Sequence, residues 1–216
     1  MTFPLYVFDA YGTLFDVHSA VARHRDLVGP QAERLSELWR TKQLEYSWTR
    51  TLMGAWRDFE AITEDALDFA AARCGGIPTE TRAALLNAYE TLDAYPDVAP
   101  ALKALREKGA KTVILSNGGS AALARAVASA GLRDLLDDSL SAASVGRYKT
   151  ARQVYELVGA RYGVAPDKVS FQSSNRWDVA GAVGFGFHAV WINRTGAPDE
   201  YPDLAPDRSV ASLAEL

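Results

Sequence analysis

Four short apolar runs, each ending in small polar residues and separated from the next by helical patterning, constrain this chain more than any other feature. Leu5–Phe8 leads to Asp9, Thr112–Leu115 to Ser116 and Asn117, Val169–Gln172 to Ser173, Ser174 and Asn175, and His188–Ile192 to Asn193. A run that is apolar on both faces suits a strand buried on both sides, and strand–helix alternation predicts parallel strands with right-handed crossovers. The polar tips then share one edge, the edge at which open parallel sheets bind ligands. The expected fold is α/β: a Rossmann-like core with a mainly parallel sheet flanked by helices.

From about Ser19 to Leu92 the pattern is helical, with no convincing strand. Ala32–Arg50 carries Leu35, Leu38, Trp39 and Leu44 at roughly helical spacing, and Glu64–Arg73 and Glu80–Leu92 repeat the amphipathic theme. Gly75-Gly76-Ile77-Pro78 reads as a turn, and Ala94–Asp97 opens another helix that ends at Gly109. The expected division is a core of residues 1–15 and 96–216 with a helical cap of residues 16–95. An insertion that leaves directly after the first strand lies over the edge where Asp9 sits, placed to act as a lid that excludes water.

Composition narrows the partners. The chain of 216 residues is 48% hydrophobic, with a formal net charge of −4 and scattered Lys and Arg, so it offers no electrostatic footprint for nucleic acid or an anionic membrane. No apolar stretch approaches the ~20 residues needed to span a bilayer, and the first residues lack the pattern of a signal peptide. A single cysteine, Cys74, fits a reducing cytoplasm, and His18, His24 and His188 are too scattered for metal-ligand spacing. No metal or other cofactor is expected.

Asp9 is a carboxylate on a strand tip, followed at once by the tight turn Ala10-Tyr11-Gly12-Thr13. An ionised carboxylate is a usable nucleophile without a proton-accepting neighbour when cations and amides hold it and bulk water is excluded. Asp before a loop is also a common turn or cap residue. Arg40, Arg50 and Arg57 lie in the insertion, where one facing inward would bind an anion, although most helix arginines reach solvent. Lys149 lies in a loop before the helix containing Tyr155, and Asp178 opens the helix after Asn175. Two carboxylates on neighbouring tips repel unless a cation lies between them, so Asp9, Lys149 and Asp178 make sense together.

These residues, with Phe8–Leu14, Leu115–Gly118, Lys149 followed by Val154-Tyr155, and Ser173–Asp178, resemble in order and spacing the haloacid dehalogenase superfamily. The segment Leu38–Met53 resembles the lid of its L-2-haloacid dehalogenase subgroup, and Trp191–Gly196 its last core strand. The likeness covers nearly the whole chain. It implies that Asp9 attacks C2 of a small halogenated carboxylic acid, releasing halide, and that water then hydrolyses the resulting ester. Arg40, Asn117 and Phe59 would cradle the halide, while Ser116 and the amides after Asp9, beginning with Ala10, would hold the substrate carboxylate. Thr13, Lys149, Tyr155, Ser173, Asn175 and Asp178 would orient the nucleophile and activate water. Tyr11, Leu44, Phe59 and Trp177 would wall the alkyl group, and a homodimer joined partly through the lid helices is implied.

Phosphatases that resemble this fold carry a second Asp two residues after the nucleophile and use magnesium; here that position is Tyr11. A halide leaves without a proton, so a general acid is dispensable. A magnesium-dependent phosphohydrolase and a non-catalytic small-acid binder stay as alternatives. Three positions depart from the subgroup: Thr41 where Gln is frequent, Thr150 where Pro usually follows the lysine, and Arg176 where a small residue is usual. The loop is expected to be looser with Thr150 after Lys149, and Arg176 to face solvent or narrow the pocket.

Overall fold

A computed structural model describes residues 2–216. Six parallel strands form one sheet in the order β3-β2-β1-β4-β5-β6, with β1 Leu5–Phe8, β2 Lys111–Ser116, β3 Asp138–Ser141, β4 Val169–Ser173, β5 His188–Ile192 and β6 Arg208–Val210. β1 lies in the middle, pairing with β2 on one side and β4 on the other. Its side chains alternate: Leu5 and Val7 join one apolar core with Val113, Leu115, Val169 and Phe171, whereas Tyr6 and Phe8 join a second with Ile114, Val190 and Ile192. Both faces of the sheet are therefore buried, which accounts for the mainly apolar runs.

The edge strands β3 and β6 were not legible in the sequence pattern. Each is short and largely polar, Asp138-Ser-Leu-Ser141 and Arg208-Ser-Val210, and each has only one strand neighbour. An edge strand needs no second apolar face, and a charge along it discourages pairing with another chain.

Between β1 and the helix α6 (Val98–Glu107) lie five helices: α1 Ser19–Arg23, α2 Arg25–Val28, α3 Ala32–Met53, α4 Phe59–Arg73 and α5 Thr79–Tyr89. α3 runs for 22 residues and stops where Gly54 takes a left-handed φ of 66°. It packs on α4 through Leu35, Trp39, Ile62, Ala66 and Leu67, all buried. Trp39 Nε1 donates to the Thr63 carbonyl at 2.9 Å and Gln43 Nε2 to Thr63 Oγ1 at 3.0 Å, while the Tyr89 hydroxyl of α5 donates to Gln43 Oε1 at 3.2 Å. Truncating an aromatic anchor such as Trp39 to Ala typically costs about 3–5 kcal/mol.

The two connections between these helices and the sheet run side by side. Asp16 N donates to Asp93 O at 2.8 Å, Tyr95 N donates to Leu14 O at 3.0 Å, and Phe15 and Ala94 form an antiparallel bridge. The remaining helices, α7 Ser120–Ser129, α8 Arg152–Tyr162 and α9 Arg176–Phe185, alternate with the later strands.

Candidate active site

The turn after β1 is built to present a carboxylate at the strand tip. Gly12 has φ +93°, a region that side-chain-bearing residues rarely adopt, and the amides of Thr13, Leu14 and Phe15 all donate to the Ala10 carbonyl. This sharp reversal leaves Asp9 at the strand tip, with its own amide donating to Gln172 O of β4 at 2.9 Å. Thr13 swings back so that its hydroxyl donates to Asp9 Oδ2 at 3.0 Å, and Ser174 N donates in turn to Thr13 Oγ1 at 2.8 Å.

Asp9 is buried and held by three side chains, Thr13 among them. Oδ2 also accepts from Asn175 Nδ2 at 2.8 Å, and Oδ1 accepts from Lys149 Nζ at 3.0 Å. The same ammonium reaches Asp178 Oδ2 at 2.7 Å, and the Tyr155 hydroxyl donates to Asp178 Oδ1 at 2.7 Å. Lys149 therefore lies between two buried carboxylates. Burial pulls its pKa down, but the Asp178 and Asp9 charges outweigh that and hold it above the usual lysine value. Burial pushes Asp178 up to about 6 against the pull of Lys149, with Asp9 adding to the rise. Burial, and then the Asp178 charge, hold the Tyr155 phenol well above its usual value, so it stays a donor.

The loop bearing Lys149 is held from both sides. Lys149 N donates to Asn117 Oδ1 at 2.9 Å, and Tyr148 N donates to Thr51 Oγ1 of α3 at 3.0 Å. The Tyr148 ring stacks on Trp56, and its hydroxyl donates to the Arg57 carbonyl. The loosening expected from Thr150 is opposed by these contacts, none of which sequence spacing revealed.

Of Arg40, Arg50 and Arg57, Arg40 alone reaches the carboxylate turn: its Nη2 donates to Tyr11 O at 3.1 Å and to Asn175 Oδ1 at 3.4 Å. Arg50 instead donates to Ala55 O and Arg57 to Asp65 Oδ1. Leu44, one helical turn after Arg40, is half-buried. The Tyr11 ring stacks on Tyr89 and tilts against Phe59, 5.7 Å from each. Gly118 leaves it room, since a Cβ there would lie 2.7 Å from Tyr11 Cε2. Burial drives the Tyr11 phenol far above its ordinary range, so it is a poor proton donor. Ser116 Oγ accepts from Gly118 N at 3.1 Å and Ser173 Oγ from Asn175 N at 3.1 Å, so both shape the tips. Trp177 meets Trp48 edge to face at 5.3 Å.

Arg176 departs from both expectations. It is buried, its Nε donates to Asp199 Oδ1 at 2.5 Å, and its Nη2 donates to the carbonyls of Tyr201 and Leu204. As the first residue of α9 it turns toward the last loop rather than toward solvent or Asp9. Sequence reasoning also missed Glu60 of α4, whose Oε1 accepts from Gly119 N at 3.0 Å and so ties the insertion to the tip of β2.

The sequence model of the haloacid dehalogenase-like hydrolases matches residues 3–186. The chain belongs to that family. It is 48% identical over 212 residues to (S)-2-haloacid dehalogenase 1 of Pseudomonas sp. strain CBS-3, covering 97% of this chain and 93% of that protein. A crystal structure of a dehalogenase with an intermediate complex is 46% identical with a TM-score of 0.96, covering 99% of this chain and 95% of that one. The structure of L-2-haloacid dehalogenase from Xanthobacter autotrophicus with chloropropionic acid covalently bound is 36% identical with a TM-score of 0.91, covering 99% of this chain and 96% of that one. Family members of this kind share the parallel sheet and inserted helices described above.

Proposed function

We propose that this haloacid dehalogenase-like hydrolase converts short L-2-haloalkanoic acids to D-2-hydroxy acids through an ester on Asp9. The observation that carries the reading is the asymmetric hold on Asp9: Oδ2 accepts two hydrogen bonds and Oδ1 one. A carboxylate has about four lone-pair positions, so Oδ1 keeps one for attack. That oxygen bonds to C2 from the side opposite the halogen, the carbon–halogen bond breaks, and halide leaves with its electron pair. Water then adds to the Asp9 carboxyl carbon, and the product alcohol departs with the original carboxylate oxygen. The close (S)-2-haloacid dehalogenase relatives support this reading, as does Tyr11 at the position where phosphatases of this fold carry an acid.

In this reading Arg40, Asn117 and Phe59 receive the halide. Ser116, Ala10 and the following amide hold the substrate carboxylate, and Tyr11, Leu44 and Trp177 flank the alkyl group. Thr13, Lys149, Tyr155, Ser173, Asn175 and Asp178 orient Asp9 and the hydrolytic water, with Asp178 basic enough to share a proton from it. Residues 16–95 act as the cap over residues 1–15 and 96–216, and two copies join partly through cap helices in a cytoplasmic enzyme. The test is halide release from both enantiomers of 2-chloropropionate in the presence of EDTA, with turnover expected for the L form alone. Phosphate release from small esters that EDTA abolishes would favour the phosphohydrolase instead. In a single turnover in heavy-oxygen water, label should enter the Asp9 peptide; label found directly in the alcohol defeats the ester route.

A further inference from the structure

A groove of about 600 Å³ opens beside the candidate site, with Trp48, Leu52, Trp177, Phe185, Tyr201 and Leu204 among its walls and Lys149 also lining it. Its volume lies in the range of small-molecule sites, about 300–1,000 Å³. A three-carbon haloacid, with six heavy atoms, fills roughly 180 Å³ at about 30 Å³ for each water-sized group, so the groove exceeds its needs about three-fold.

The outer wall of this groove is held by one side chain. Tyr201 and Leu204 belong to the segment after β5, and Tyr201 adopts a left-handed φ of 52°, unusual for a residue with a side chain. Arg176 fixes that segment at three points, bonding Asp199 Oδ1, Tyr201 O and Leu204 O. Its guanidinium also lies 5.7 Å from the Tyr201 ring centre and 5.9 Å from that of Trp191. The next residue, Trp177, turns its indole to the opposite wall, where it meets Trp48. The first two residues of α9 thus build both sides of the groove.

We propose that the groove takes the 2-alkyl chain of substrates longer than three carbons, and that Arg176 is the positioning residue setting this chain-length range by clamping residues 199–204. The proposal rests on the dehalogenase reading of Asp9 and deepens it. Apolar walls reward each buried methylene by about four-fold in affinity. A smaller residue at position 176 has no fork to hold two carbonyls and a carboxylate together.

The test compares kcat/KM for L-2-bromohexanoate with that for L-2-chloropropionate in the wild type, Arg176→Ala and Gly184→Leu. Gly184 faces Leu204 Cδ2, 3.8 Å from where its Cβ would be, so a leucine there fills the groove from α9 without backbone strain. Both variants should lower the long-to-short ratio about ten-fold, mainly through KM for the long substrate. Gly184→Leu keeps the test decisive where Arg176→Ala fails to fold. Tryptophan fluorescence titrated with hexanoate and with acetate gives a readout free of turnover: hexanoate should quench, and Gly184→Leu should weaken that quenching. An unchanged ratio in a variant that still releases halide overturns the groove. Loss of halide release from every acid in the wild type, with hexanoate binding still sensitive to Gly184→Leu, overturns the dehalogenase reading and leaves the groove standing.

Discussion

Replacing Lys149 with Met removes the ammonium between two buried carboxylates while roughly keeping its volume. Lys149 Nζ lies 3.0 Å from Asp9 Oδ1 and 2.7 Å from Asp178 Oδ2, so those two oxygens are no more than about 6 Å apart. Unscreened by the ammonium, two carboxylates at that spacing repel by about 3 kcal/mol at an effective dielectric of about 20. That repulsion already contributes to the value near 6, so what the variant loses is the opposing pull of Lys149, and Asp178 rises well above its wild-type value. A carboxyl whose folded pKa is raised favours the folded state fully below its unfolded value, and that contribution is lost as pH climbs through the folded value. In the wild type the loss is complete near pH 6; in Lys149→Met it continues above that, at about 1.4 kcal/mol for each pH unit. The stability gap between the two proteins should therefore widen by about 3 kcal/mol between pH 6 and pH 8, above a packing term that does not depend on pH. Urea unfolding at both pH values measures the gap, and halide release should be lost at each. A gap of equal size at pH 6 and pH 8 would refute the charge arrangement.

Asp9→Asn should abolish steady halide release while leaving the fold intact by circular dichroism; full activity in a protein whose mass shows no reversion to Asp removes Asp9 as nucleophile. Gly118→Ala forces a Cβ to 2.7 Å from Tyr11 Cε2, and overpacking of this kind costs about 1–3 kcal/mol, so urea unfolding should show a lower midpoint with a raised KM. An unchanged midpoint and KM would mean that the Tyr11 ring moves freely. Light scattering should give about twice the chain mass of 23.4 kDa, and a single-chain mass rules out the homodimer.

What could be read in the sequence followed burial on two faces. β1, β2, β4 and β5 declared themselves because interior strands of a parallel sheet are mostly apolar, and Asp9 stood out as the charge ending the innermost one. β3 and β6 did not, because an edge position lets Asp138 and Arg208 sit along a strand without leaving a charge in the core. Asp178 illustrates a different limit. Its place in the first turn of α9 reads as capping, yet its side chain bonds Lys149 and Tyr155, both from distant segments. By residue type alone Arg40 was one of three candidates; of the three, it is the one whose guanidinium bonds the Tyr11 carbonyl and Asn175. Arg176 was visible as an odd residue, but its partners lie 23 to 28 positions away in a loop without periodicity.

The antiparallel contact between residues 14–16 and 93–95 brings the start and finish of the helical insertion within hydrogen-bonding distance of each other. To the sheet, that whole excursion is a hairpin with an oversized tip. Closing a longer or shorter tip costs little, about 0.6 kcal/mol for each doubling of length. Evolution or an engineer can therefore swap the excursion for another of different size while the strand pairing beneath Asp9 keeps its register. The scaffold is interchangeable at one seam, and the chemistry that such a graft would alter is whatever the exchanged part lowers onto Asp9.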